Sequence, residues 1–164
     1  MMVWTKVKIP LLETLKWLSV VLVVLFLSAM LAQGKESQTE FSVMSEAVTA
    51  AADLTPMQQA DNQMIKRLYG LDPADYDGLL LYYPTTNMGA EELLLVKLKD
   101  TAQQETVAAA IAARLATQKS SFDGYGVDQY AMLEKSVTEL QGNYVLLIVA
   151  ADTAPVRQAF LGAF

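Results

Sequence analysis

Residues 82–100 read YYPTTNMGAEELLLVKLKD. An aromatic pair meets a proline, a polar connection follows, two adjacent acids close it, and the chain becomes an apolar run. Proline, asparagine and glycine punctuate turns, and a short apolar run bounded by them reads as a buried strand. Side chains alternate across a strand. Leu93, Leu95 and Lys97 therefore share one face, and Leu94, Val96 and Leu98 the other. A strand this apolar on both faces belongs in the middle of a sheet. GLLLYYP (78–84) is a second strand that Pro84 ends, so the two read as a hairpin with a long connection.

Downstream, Asp100 caps a long helix, with Gln103 placed as in a capping box. Val107, Ala108, Ile111 and Leu115 form its apolar stripe, Gln104 extends the stripe toward the helix start, and Arg114 and Lys119 flank it. FDGYGVDQ (122–129) reads as a loop and YAMLEK (130–135) as a short helix or turn. SVTEL and NYVLLIVA flank Gln141-Gly142-Asn143, a tight hairpin signal. Thr153 caps a last helix with Pro155 in its first turn. Strand–strand–helix thus occurs twice, over 78–119 and 136–163.

Upstream, FSVMSEAVTAAADL (41–54) carries Val43, Met44, Val48 and Ala51 at helical spacing. Thr55-Pro56 opens a second helix that Gly70 stops, with Met57, Met64, Ile65 and Leu68 as its stripe. Asp72 caps the turn at Pro73. The expected domain, residues 41–164, is α+β: a four-stranded, mainly antiparallel sheet of two hairpins with helices on one face. Residues 35–40, within the polar stretch GKESQTE, form a linker.

Residues 1–34 differ in kind. WLSVVLVVLFLSAMLA (17–32) is a run of 16 residues without a charge. At about 1.5 Å per residue it spans roughly 24 Å, against a bilayer core of about 30 Å, and counting from Pro10 lengthens it. Lys6, Lys8 and Lys16 against Glu13 give residues 1–34 a net charge of +2, while the chain from Lys35 onward holds 9 basic and 17 acidic residues, a net of −8. Lysines before the apolar run and acids after it place the N-terminus in the cytoplasm and residues 35–164 outside. The expected partner of residues 10–34 is the lipid bilayer, as an uncleaved signal anchor in the cell membrane. The other reading is a signal peptide cut near Gly34, where Ala32-Gln33-Gly34 fits a small-x-small site, leaving a secreted domain.

The chain has neither cysteine nor histidine. Disulfides, thiolate nucleophiles, imidazole bases and the usual zinc, haem and iron–sulfur ligands are thereby excluded. No metal and no cofactor is expected. An acidic domain lacks the clustered cations that nucleic acid requires. Asp72, Asp75 and Asp77 precede Gly78, but an EF-hand frame set on that glycine places Pro73 and Pro84 at its first and twelfth positions. These acids read as capping and solvated turn charges.

Glu91 and Glu92 are neighbours in a strand and point to opposite faces, so they do not form the facing pair that carboxylate catalysis uses. They read as charges at the strand entrance or as part of a binding surface with Asn87 of the connection. Tyr125 and Tyr130 stand in or beside the glycine-containing 122–130 segment, where aromatic residues line a groove or pack on a sheet edge. No residue is assigned a catalytic role.

Several features together are familiar: LYGLDPADYDGLLLYYPTTNMGAEELLLVKLKD, the helix bearing Val107, Ile111 and Arg114, the loop with Tyr125, and QGNYVLLIVAAD. Over roughly residues 41–163 the chain resembles the domain-of-unknown-function family 4358 of exported proteins and lipoproteins of Gram-positive anaerobes. Gly89-Ala90-Glu91-Glu92 and Gly142-Asn143-Tyr144 carry the resemblance best. Where a lipoprotein would have its lipid-bearing cysteine this chain has Met30. The resemblance implies a location and a compact domain, not a mechanism. The expected function is a non-enzymatic binding domain of the cell envelope that takes another envelope protein or a small ligand near the 84–92 and 122–130 segments. The alternatives are a histidine-free, carboxylate-dependent envelope hydrolase and a structural module of an envelope complex.

Overall fold

The structure, a computed structural model, describes residues 16–24 and 39–164. The chain divides into two compact units, Met1–Gly34 and Lys35–Phe164. In the first, residues 16–24 are helical and exposed. The rest of the expected membrane segment, 10–15 and 25–34, and most of the linker lie outside the described residues. Among the described residues no helix is long and apolar enough to cross a membrane.

The second unit runs α1 (Phe41–Ala51), β1 (Met57–Gln59), α2 (Asn62–Tyr69), β2 (Gly78–Pro84), β3 (Glu92–Lys97), α3 (Gln104–Phe122), α4 (Val127–Glu134), β4 (Val137–Gln141), β5 (Tyr144–Val149) and α5 (Ala154–Gly162). The fold is α+β. Its sheet has the order β1-β2-β3-β5-β4, with every neighbouring pair antiparallel. The expected hairpins are β2–β3 and β4–β5, and β3 is central. Gly142 makes the second turn at φ 59°, a conformation glycine adopts without strain.

Two expectations about the sheet are corrected, and the loop expected over 122–129 shrinks to 123–126, because α3 runs through Phe122 and α4 begins at Val127. The sheet has five strands rather than four, because Met57–Gln59 pairs with Tyr82–Pro84 instead of beginning a helix. The carbonyl of Pro56 accepts from both the amide and the hydroxyl of Thr85, and the amide of Ala60 donates to Leu81, which extends the attachment. This pairing satisfies backbone groups that the outer edge of β2 would otherwise leave unmet. The helix begins later, where Asp61 accepts from the amide of Met64 at 2.7 Å, and Gly70 ends it at φ 69° as expected.

Helices also cover both faces of the sheet, not one. Leu81, Leu94, Val96, Val145, Leu147 and Val149 face α2, α3 and α4, where Ile65, Tyr69, Val107, Ile111, Phe122 and Leu133 complete a core. Leu93, Leu95, Tyr144, Leu146 and Ile148 face α1 and α5, where Met44, Val48, Val156 and Phe160 complete another. The reason is compositional: β5 is buried along its whole length and β3 as far as Val96, so either face left bare would put leucines in water. The alternation expected for β3 is the one observed.

Local signals mostly act as read. Asp100 and Gln103 form a full capping box at a single 3-10 turn that leads into α3. Asp72 accepts from the amide of Ala74. The last helix differs, since Asp152 rather than Thr153 accepts from its first amide. Ala110, not Ala108, continues the buried stripe of α3, and Val43 on α1 is exposed.

The start of the domain is fastened at Thr39. Its carbonyl accepts from Lys97 Nζ and from the Tyr144 hydroxyl, each at 2.9 Å, and its own hydroxyl donates to Ala163 at 2.8 Å. Beside it the ring of Phe41 lies over Gly78, where an added Cβ would come within 2.3 Å of the ring.

Candidate functional site

The connection from β2 to β3 ends at the two glutamates, and the strand geometry separates them. Glu92 turns toward α2 and α3 and is 1% exposed. Its carboxylate accepts the Tyr69 hydroxyl, Arg114 Nε at 3.1 and 3.2 Å, Arg114 Nη2 at 2.7 Å and Gln118 Nε2 at 3.2 Å. A buried carboxylate is tolerated only when it is paired and hydrogen-bonded, and this one is both. Burial pushes the Tyr69 hydroxyl well above its usual pKa, and the neighbouring Glu92 charge adds to this, so Tyr69 remains a donor. Burial opposes the charge on Arg114, but Glu92 outweighs it and holds the guanidinium above its ordinary value.

Every acceptor direction of Glu92 is therefore occupied by protein donors, and none is left for a substrate proton. What the cluster does is position. It ties α2 and α3 to the start of the central strand and fixes Arg114 and Gln118 in the wall of a groove. That groove, of about 450 Å³, lies between α2, the β2–β3 connection and the second half of α3, and Arg67, Thr86 and Asn87 also line it. Arg67 is exposed and makes no ion pair among the described residues. Arg114 Nη1 makes no hydrogen bond there either.

A second groove, of about 490 Å³, lies between the end of α3 and α4. Tyr125, Val127, Tyr130 and Ala131 line it, and Tyr125 is 61% and Val127 78% exposed. The buried Phe122 lines both grooves and packs on Tyr125 at 6.0 Å between ring centroids. Gly126 is required here, because a Cβ would fall 2.5 Å from the Phe122 ring.

Of the residues singled out from sequence, Asn87 lines the first groove and Tyr125 and Tyr130 the second. Glu92 lies under the first as the partner of two of its lining residues. Glu91 is elsewhere: its carboxylate accepts the Ala90 amide at 3.0 Å and lines a smaller cleft of about 320 Å³, with Asp53 and Asp152, near α1 and α5. The two acids do not share a cleft. Among the described residues no group of three or more Asp or Glu is placed to hold a metal ion. Asp72 pairs instead with Lys66 at 2.6 Å, which with the Ala74 amide lowers its pKa.

Sequence reasoning missed Tyr69, Gln118 and Arg67, and treated Arg114 as a flank. A signal was present. Arg114 follows Ile111 by three and Gln118 follows Arg114 by four, so both continue the buried stripe, and a charge there requires a partner.

The sequence pattern of the family described as Domain of unknown function (DUF4358) matches residues 50–150, the span that holds β1 to β5 and both grooves. No curated protein and no solved structure matches.

Proposed function

The chain belongs to the DUF4358 family, and from that premise we propose that it is a membrane-tethered or secreted extracytoplasmic domain that binds a ligand of the cell envelope without transforming it. The apolar leader behind three lysines and the acidic body after it support export. The observation that carries the binding reading is the pair of adjoining grooves joined at Phe122, one walled by arginines and the other by tyrosines. Grooves of roughly 300–1,000 Å³ with a few convergent polar groups are where small ligands sit. The saturated Glu92 carboxylate weighs against hydrolysis, as does the placing of Glu91 in a different cleft.

The test uses the full chain in detergent, incubated with a small-molecule extract of its own cell envelope and analysed by mass spectrometry. The binding reading expects an intact compound retained by the native protein and lost from the Tyr125→Ser/Tyr130→Ser or Arg67→Gln variant. Conversion of the compound to product, abolished by Glu91→Gln, would establish the hydrolase instead. Protease added to intact cells should digest residues 39–164, and protection of that region would refute the topology.

A further inference from the structure

The first groove contradicts the charge of the domain around it. From Lys35 onward acids outnumber bases 17 to 9, yet this groove is lined by Arg67 and Arg114 and by no aspartate or glutamate. Arg114 is already neutralised by Glu92, held beneath it by bidentate contact. Arg67 is not neutralised. The groove therefore carries one positive charge without an ion-pair partner among the described residues, on an exposed side chain. A positioned Arg114 face, the Thr86 hydroxyl and the Asn87 amide add neutral or already balanced donors. The remaining wall is apolar, with Met64, Leu68 and Phe122.

One unmatched guanidinium, several further donors and an apolar wall suit an oxyanion of single charge attached to an apolar body. Guanidinium and carboxylate match in plane and spacing, and the charge-assisted bonds between them are roughly twice as strong as neutral ones. A dianion would bring one charge more than the groove can balance, and desolvating it would be costly. Resting on the binding reading above, we propose that the groove between α2, the β2–β3 connection and α3 is a site for a small monocarboxylate with an apolar or aromatic body, held by Arg67 and oriented by Arg114.

The experiment is calorimetric titration of the detergent-solubilised full chain with benzoate, benzamide and phenyl phosphate, which share a ring and differ in the charge beside it. Benzoate should bind at least tenfold more tightly than benzamide, and more tightly than phenyl phosphate. The benzoate advantage should shrink as sodium chloride is raised, because an exposed arginine is screened. Arg67→Gln, on an exposed residue with no ion pair, should keep the fold by circular dichroism and remove the advantage. Arg157→Gln, on the opposite face of the sheet, should leave it intact. Equal affinity for benzoate and benzamide, tighter phenyl phosphate, no binding of any of the three, or an advantage that survives Arg67→Gln would overturn the assignment. Retention of a neutral compound from the envelope extract, with benzoate silent, would sink the carboxylate site and spare the binding domain. An extract that leaves nothing on the protein would sink both.

Discussion

The two faces of the sheet are closed by different means. Toward α1 and α5 the seal is apolar: Met44, Val48, Val156 and Phe160 meet the leucines of β3 and β5, and Phe164 stands edge-on to Tyr144 and Phe160. Toward α2 and α3 the seal is apolar except at one end, where Tyr69, Glu92, Arg114 and Gln118 form a largely buried polar knot. An apolar seal needs only shape and tolerates repacking. A buried ionic knot adds little net stability but fails heavily when half of it is removed. Its value is orientation, and the groove it supports is on its own side of the sheet.

The largest effect should come from breaking that knot. Arg114→Met leaves Glu92 buried without its cation and should cost about 3–5 kcal/mol in reversible urea unfolding followed by circular dichroism. The double change Glu92→Leu/Arg114→Met should recover most of that loss while weakening benzoate binding, since Arg67 remains but the orienting Arg114 donors are gone. If the double variant is as unstable as the single one, the knot is a stabilising element after all and the contrast between the faces fails.

Tyr69→Phe sharpens the same contrast with a smaller step. It removes one donor to a charged acceptor and should cost about 1.5–3 kcal/mol in the same assay, with the sheet unchanged. A variant as stable as the parent would mean that the carboxylate is satisfied without Tyr69.

On the other face the informative variable is alkali. Burial, with the Asp77 and Glu40 charges adding to it, pushes the Tyr144 hydroxyl up to about 12. A raised folded pKa means stability that is complete below the unfolded value near 10 and is lost as pH rises toward 12. The urea midpoint of the parent should therefore fall over that interval. Tyr144→Phe should fall less steeply, keeping the part that Tyr69 and Tyr76, both also raised by burial, contribute in the same direction. Parallel slopes would show that Tyr144 ionises freely in the folded state.

The smallest effect belongs to the exposed rim. Arg157 pairs with Glu139 at the surface. Arg157→Gln should change stability by no more than about 1 kcal/mol in the urea assay, and the change should shrink further with added salt.

What could be read from the sequence was what is local. The alternation along β3, the capping box at Asp100, the stop at Gly70 and the Gly142 turn each depend on residues within a few positions of one another. β1 escaped because its partner is distant: Met57–Gln59 becomes a strand only when Tyr82–Pro84 offers it an edge, while Thr55-Pro56 carries the ordinary marks of a helix start. The sheet's second layer of helices was implicit in the double-sided hydrophobicity of β3 and β5, and only its economy was misjudged. The knot was hidden because positions 69, 92, 114 and 118 meet only in three dimensions, with Arg114 on a buried stripe the nearest thing to a clue. Asn87 and Tyr125 fall in grooves because the connections that carry them border openings between elements, and Tyr130 reaches the second groove from α4, whereas Glu91, just before β3, turns to the opposite face from Glu92.

Thr39 has a mechanical consequence. A pull on the chain from its N-terminal side meets the domain at this residue before it meets α1. The load passes at once through Lys97 and Tyr144 to the two inner strands and through the Thr39 hydroxyl to the C-terminal helix. Those strands are the two most buried of the sheet and are paired to each other along six residues. A domain leashed at that point is gripped by its core rather than by its first helix.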